Sequence, residues 1–481
     1  MFICPYLLFW AQQQQAIIPA CLVHATSAEH VAAAVGISRS TGCPFAVRSG
    51  GHSDRSGASN CPGCITINLA GLNQVQAAVD ADVVHVGAGA TWGQVYATLA
   101  PLNYATTGGR LTSVGVGGLL LGGGLSHFSG TRGWACDGVR SFEVVLANGT
   151  ILRHVTADDD GHGQHADLFR ALRGGGGGLA VVTRFTLDVF PHQGSMWGGL
   201  QVWPQAASSL AVTRAVADEF VAFTREAAPL NPHLALFAGL GYSAHLPGHF
   251  LWAAGQYDTE SRPQSGVDGE EREEPHAFAA FNARVEEQGG VAKMVSTTRL
   301  ATLLELAEEL NGSEPPGLRS RFTTATVKAD AELLRFMAKV FVEEVERALA
   351  KAPGLAQDTN FKPMLGIQPL TRNILAASTA RGGNAMGLDI EDGPLIICSF
   401  GWEWSSKEDD HVVIAGIQAV LMRSVLAAQE RALYHPFKYM NYAAEDQDPL
   451  GSYGLRSAEL IARVSAAYDP DGLFAALVQQ A

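Results

Sequence analysis

Glycine gathers in two places, residues 108–130 and 174–178, and this clustering limits the fold more than any other feature of the chain. A glycine-rich stretch cannot fill a core, so it serves where backbone turns tightly or lies against something flat. Glycine is also the anomaly of the composition, 53 of 481 residues, whereas 47% hydrophobic and 17% charged residues are ordinary for a compact protein. At this length, two domains or one large composite domain are expected. The formal net charge is −14, with the acids scattered, which argues against a nucleic-acid binder and against docking on an anionic membrane.

Around the glycines, the first third reads as short strands alternating with helices. Strands are expected at Ala20–Val23, Pro44–Arg48, Ile65–Leu69, Val83–Val86 and Ala180–Val189, and helices at Ser27–Thr41, Thr91–Leu99 and Leu168–Leu172. Ser141–Leu146 and Ile151–Val155 read as a hairpin because Asn148-Gly149 lies between them. From about residue 195, strand-like runs (Trp197–Val202, Leu234–Phe237, Ile396–Trp404) alternate with long amphipathic helices (Ser208–Ala227, Ala301–Leu310, Ala331–Ala350, Asp409–Ala427). The polar stretch Asp258–Glu274 reads as a mobile surface loop. The pattern is an N-terminal cofactor lobe (1–192), a separate α+β lobe (193–435) and a tail (436–481) that could return to the first.

Cysteine, leader and membrane signals are weak. Seven irregularly spaced cysteines make no disulfide scaffold, and Cys61-Pro-Gly-Cys64 lacks the second pair that zinc would need, so it reads as a loop or one local disulfide. Met1–Trp10 is apolar but short and without basic residues, a poor secretory signal, and no other run approaches a transmembrane length. The sequons at Asn148 and Asn311 matter only in a secreted protein. The sequence assigns no compartment and no oligomeric state.

Three segments carry chemistry. Pro44–Arg48 delivers the chain into Arg48-Ser49-Gly50-Gly51-His52-Ser53, where successive N–H groups can form an anion-binding nest; the competing reading is a glycine turn with an incidental histidine. Thr107–Gly124 fails the dinucleotide fingerprint, because after Gly115 and Gly117 the third glycine position holds Leu120; its glycines flank three leucines, as if backbone packed on a large planar group. Gly87-Ala-Gly89 fails likewise, so no NAD(P) fold is expected. Tyr439-Met-Asn-Tyr442 and Gln447–Gly454 form an extended segment that either hydrogen-bonds a heterocycle's edge or anchors a loop.

Together with Trp134-Ala-Cys-Asp137 and Asp167–Gly177, these segments occur in the order that resembles berberine bridge enzyme-like oxidoreductases, FAD-linked enzymes of the vanillyl-alcohol oxidase superfamily. The resemblance runs from about Pro19 through nearly the whole chain and is strongest in its first 190 residues. It implies an α+β fold: a PCMH-type FAD domain of two α+β subdomains, and a substrate domain whose antiparallel sheet, backed by helices, roofs the flavin. His52 matches the histidine that binds flavin covalently. Cofactor contacts are implied for Arg48, Ser49, Gly50, Gly51, Ser53, Gly108, Gly109, Thr112, Ser113, Gly115, Gly117, Gly118, Gly122, Gly123, Gly124, Val139, Val182 and Asn441. Departures also inform. Leu111 stands where many relatives carry a second attachment cysteine, so one linkage is expected; Leu119, Gly138 and Gly178 replace a common histidine and two asparagines. The abrupt start, where relatives often carry a signal, implies a truncated gene model or an intracellular protein.

The resemblance implies oxidation of a small organic or secondary-metabolite substrate. Hydride from an alcohol, amine or activated C–H passes to FAD, and O2 then takes the electrons and leaves as hydrogen peroxide. The alternatives are a dehydrogenase with another acceptor, or a flavin-binding protein without catalysis. Tyr439 is the first candidate for acid–base work, with Asn441 on the same side of an extended strand. Glu403 is the second: alternation along Ile396–Trp404 puts it on one face with Ser399 and Gly401, although a solvent-exposed rim carboxylate would fit the same residue.

Overall fold

The structure is a computed structural model and describes residues 9–157, 164–245, 249–262, 274–312 and 315–477. Most of the polar stretch 258–274, the serine of the Asn311 sequon and Met1–Leu8 lie outside the described residues. The flavin lobe holds two sheets. Strands β1 (Cys21–His24), β2 (Phe45–Arg48) and β3 (Ile65–Asn68) form a parallel sheet in the order β1-β3-β2. The Ala28–Thr41 helix joins the first two strands and starts where Ser27 accepts a hydrogen bond from the His30 N–H. Strands β4 (Val75–Ala78) and β5 (Val83–Gly87) belong to a second, antiparallel sheet. β6 (Tyr104–Ala105) pairs elsewhere, and β7 (Val139–Val145), β8 (Ile151–Val155) and β9 (Val181–Asp188) complete the order β4-β5-β9-β7-β8. A short β10 (Phe190–Pro191) pairs with β6. The hairpin at Asn148-Gly149 forms as read, with Gly149 taking the positive φ that the turn requires.

The substrate lobe is one large antiparallel sheet: β11 (Ser195–Ala206), β12 (Leu234–Tyr242), β13 (His249–Arg262), β14 (Val295–Ser296), β15 (Arg299–Ala301), β16 (Arg319–Lys328), β17 (Lys362–Leu370), β18 (Leu395–Trp404) and β19 (Tyr434–His435). The path is β14-β11-β13-β12-β17-β18-β16-β19, with β15 also on β11. Sequence reading passes over β13, β16 and β17, whose glycine, threonine and proline residues dilute the apolar run. Helices Ala211–Ala222, His276–Gly289, Ala331–Lys351 and Asp410–Glu430 back the sheet, and Trp203, Trp252, Phe341, Phe400 and Trp402 fill the core between them. The first of these helices widens into a π-turn over Phe223–Ala227.

Two expectations need correction here. One helical stretch, Lys407–Glu430, is long and apolar enough to cross a membrane by length and composition. It packs Val413, Ile417, Val420 and Ala428 into the core and leaves Met422 and Leu426 exposed. The Tyr439–Tyr442 segment is not extended: Met440–Tyr442 is a single 3-10 turn. Beyond it, Leu460, Val464, Leu473 and Phe474 join the core of the flavin lobe. Cys61 and Cys64 are disulfide-linked.

Candidate active site

The loop after β2 is held from several sides. Arg48 donates to Asn68 Oδ1 at 3.0 Å and lies over the Phe9 ring; Ser49 Oγ donates to the Ala88 carbonyl at 2.6 Å. Gly51 sits at φ 69°, and its carbonyl accepts from the Trp10 N–H. Ser53 Oγ accepts from the Arg55 N–H. The His52 ring stacks on Trp10, with centroids 4.8 Å apart and planes 11° from parallel. Burial pushes His52 down to about 4, so the ring is neutral near pH 7, and its buried Nε2 has no hydrogen-bond partner among the described residues.

The glycines have a different reason from the one read in the sequence. A β-carbon on Gly50 would lie 2.5 Å from the Gly115 nitrogen, so the two loops meet backbone to backbone. One on Gly108 or Gly109 would enter the Trp92 ring, one on Gly117 would meet Ser49 Oγ, and on Gly122, Gly123 and Gly124 it would meet Asn441, Met386 and Ala135. These positions press on the protein itself, not on an open planar slot. Thr112 accepts from the Gly93 N–H through its carbonyl, and the backbone N–H of exposed Ser113 donates to Asn311 Oδ1. Exposed Gly118 and buried Gly138 do face open space, where a β-carbon would find no atom within 4 Å. Gly138 runs into Val139, buried on β7 as Val182 is on β9. An unpartnered histidine nitrogen and a void beside Gly138 are features an FAD can use, so the residues fit the cofactor. Leu111 packs on the flavin-lobe core.

Opposite this loop lies one face of the substrate sheet, built in rows by strand register. Gly239, Gly366, Ser399 and Thr324 form one row across β12, β17, β18 and β16, and Gly241, Met364, Gly401 and Phe322 form the next. Small residues keep this face low, with the Phe322 ring laid over Gly401 and near Trp10 at 6.0 Å. Glu403 shares the face, as alternation predicts, but it is 5% exposed and so not a rim carboxylate. It pairs in register with Ser320 and Lys362, beneath the segment where Gln13 bonds to the Ser320 carbonyl. Six residues along β18, about 20 Å at ~3.3 Å per residue, separate it from the Ile397 row.

That Ile397 row holds the polar cluster. Gln368 lies beside Ile397, and its Nε2 donates to the Tyr442 hydroxyl at 2.7 Å. Arg110 Nη2 donates to Gln368 Oε1 at 2.8 Å and to the same hydroxyl at 3.0 Å. Tyr439 is placed differently. Its buried hydroxyl accepts from the Gly124 and Leu125 N–H groups, each at 3.2 Å, and from Asn441 Nδ2 at 3.1 Å, and burial pushes its pKa up. The Arg110 guanidinium therefore bonds the hydroxyl of Tyr442, not that of Tyr439; the two rings meet edge-on at 4.8 Å. Asn441 also donates to the Leu119 carbonyl. Gln447 anchors its loop, bonding the Thr324 N–H and carbonyl.

Sequence reasoning missed Arg110, His127, Gln368 and Trp10 as site residues. Arg110 did leave a signal, being the sole charge within Thr107–Gly124. Gln368 left none, because its strand was not read.

The comparisons with known proteins agree with this geometry. The FAD binding domain family matches residues 19–154. The chain is 58% identical over 471 residues to an FAD-dependent monooxygenase of Fusarium proliferatum, covering 98% of this chain and 86% of that one. It is 57% identical, with the same coverage, to an FAD-dependent monooxygenase of Cochliobolus heterostrophus. Among solved structures, the glucooligosaccharide oxidase of Acremonium strictum superposes with a TM-score of 0.74 at 20% identity, over 97% of this chain and 91% of that one. The 6-hydroxy-D-nicotine oxidase of Arthrobacter nicotinovorans gives 0.72 at 18%, over 97% and 92%. The flavin of the Acremonium oxidase is described as 6-S-cysteinyl, 8α-N1-histidyl FAD.

Proposed function

Because the chain belongs to the berberine bridge enzyme-like FAD-dependent oxidoreductases, we propose that it oxidises a small organic molecule whose hydroxyl or amine proton leaves through Tyr442. The observation that carries this is the Tyr442 hydroxyl held between Arg110 and Gln368. When bound, FAD supplies the acceptor for the substrate's hydride and the route of its electrons to oxygen. Gln368 fixes the direction of the phenol. Arg110 sets a positive charge 3.0 Å from the oxygen, a partner for the phenolate that takes the substrate's proton and so becomes the neutral phenol. With these two donors in place, the remaining direction around that oxygen is left for substrate. Tyr439, with its oxygen committed to backbone N–H groups, holds the glycine loop in register.

His52 is the single point of covalent attachment in this reading. Its neutral ring keeps a nitrogen lone pair for bond formation, and Leu111 supplies no second nucleophile. Oxygen is the electron acceptor, with release of hydrogen peroxide. A second reading, insertion of one oxygen atom into the product, is favoured by the names of the relatives at 57% and 58% identity, and their fungal sources support a secondary-metabolite substrate.

The test is Tyr442→Phe. It should keep the bound-flavin spectrum yet slow anaerobic flavin reduction by about 10²-fold or more, as for a lost acid–base group. An unchanged rate in a fully loaded variant overturns the assignment. Turnover under 18O2 separates the two oxygen chemistries: stoichiometric peroxide with unlabelled product means oxidase, and label in the product means monooxygenase.

A further inference from the structure

Next to the cluster of Arg110, Gln368 and Tyr442 lies a cavity lined by the polar groups of Arg110, His127 and Gln368 and by the apolar side chains of Phe223, Leu236, Phe237 and Ile374. We infer that the substrate presents an acidic oxygen, a carboxylate or an enolate, to Arg110 and His127, with an apolar body extending away from them. The inference rests on the reading of Tyr442 as the proton-handling group, and it adds a second anchoring point.

Two observations point to a ligand here. Arg110 is a half-buried cation among neutral partners: the Gln368 amide, the Tyr442 hydroxyl and the face of Phe237 at 4.9 Å. Among the described residues no carboxylate pairs with it. Arginines on the substrate sheet are, by contrast, neutralised: Arg319 by Asp410, and Arg321 by Glu445 and Asp446. A cation partly withdrawn from water without a counter-charge is costly, and an anion binding there removes the cost. The guanidinium also has more N–H groups than its two bonds use.

His127 supplies the second observation. It is 2% exposed, its ring lies 3.9 Å from that of Tyr257, and its buried Nε2 has no partner among the described residues. Burial, with the nearby Arg110 charge, holds its pKa well below the usual value, so it is a neutral ring. A neutral imidazole beside a guanidinium completes an acceptor's site without a second full charge. As the Nε2–H tautomer, this buried nitrogen is a donor whose lack of a partner is likewise costly, so both residues gain from the same oxygen. An ammonium substrate would meet the charge of Arg110 directly and is disfavoured.

The experiment uses the full-length, flavin-loaded protein titrated with benzoate, with the neutral isostere benzamide and with the acidic cyclic diketone dimedone, read by flavin absorbance and thermal shift. Benzoate or dimedone should bind at least about 10-fold more tightly than benzamide, the scale of one charge-assisted hydrogen bond. Benzoate alone identifies a carboxylate, dimedone alone an enolate. Arg110→Gln should abolish the preference and Arg110→Lys retain part of it, while His127→Phe should weaken whichever anion binds. Benzamide binding equally well, or no anion binding at millimolar concentration, overturns the inference without any variant. Tyr442→Phe should keep the anion preference, so loss of turnover and loss of anchoring can be told apart.

Discussion

The flavin lobe and the substrate lobe build their halves of the site by opposite means. In the flavin lobe the tightest approaches are made by backbone: Gly50 meets Gly115, and Gly108 and Gly109 lie on Trp92. In the substrate lobe the working surface is made by side chains that strand register lines up, so Gln368 and Ile397, distant in sequence, become neighbours. A backbone-built site tolerates almost no added atom, whereas a side-chain-built site tolerates many changes and answers each with altered chemistry. The contrast predicts that mutations on one side abolish the protein and on the other retune it.

The largest effect should come from Gly50→Val. Its new atoms have only the backbone of residues 114 and 115 to move against, so little folded, yellow protein is expected. Gly118→Ala, facing open space, should keep the apo-protein's melting temperature, and reduced flavin loading in it would place the cofactor beside that glycine. Normal yield and flavin content in Gly50→Val would break the comparison. His52→Ala should fold and bind flavin but release it all in denaturant, whereas the wild type stays coloured and carries one FAD mass. Colour retained by the variant would move the attachment elsewhere.

Smaller effects sharpen the contrast. Tyr439→Phe leaves the Gly124, Leu125 and Asn441 donors without their acceptor and should cost about 1–3 kcal/mol in a denaturant titration. Flavin reduction should stay near normal; a slow but stable variant would return Tyr439 to the chemistry. The smallest effect concerns Asp54, which accepts from the Phe322 N–H while burial pushes its carboxyl up to about 6 from 3.8. The folded state therefore binds this proton more tightly than the unfolded chain. Its contribution is lost as pH rises from about 4 to about 6 and is constant above that. Asp54→Asn should flatten that part of a melting-temperature profile, and an unchanged slope would assign it to other groups.

How much could be read from the sequence follows the same division. Gly50-Gly51-His52 and Gly115–Gly124 were visible because a backbone-built site must be written in glycine. The reason assigned to those glycines was incomplete, since the Trp92 and Asn441 side chains that fill the spaces lie elsewhere in the chain. Tyr439 was chosen over Tyr442 because both lie in one motif and only the fold shows which hydroxyl meets Arg110. Alternation puts Glu403 on the face it shares with Ser399 and Gly401. Its burial, and its distance from the polar cluster, depended on β16 and β17, strands whose mixed composition hides them from periodicity.

The strap formed by the earliest described residues has a consequence for how the protein is made. Gln13 bonds to Ser320, 307 positions away, and Trp10 covers His52 from the same strap. During synthesis the ribosome has long released the histidine loop before β16 emerges, so through most of translation nothing from the sheet holds Trp10 over the loop. Once β16 has folded, the way to His52 runs under a tryptophan fastened at both ends. On the reading that His52 carries the flavin, cofactor delivered to the nascent chain meets an open door, and cofactor delivered to the finished protein must first lift the latch.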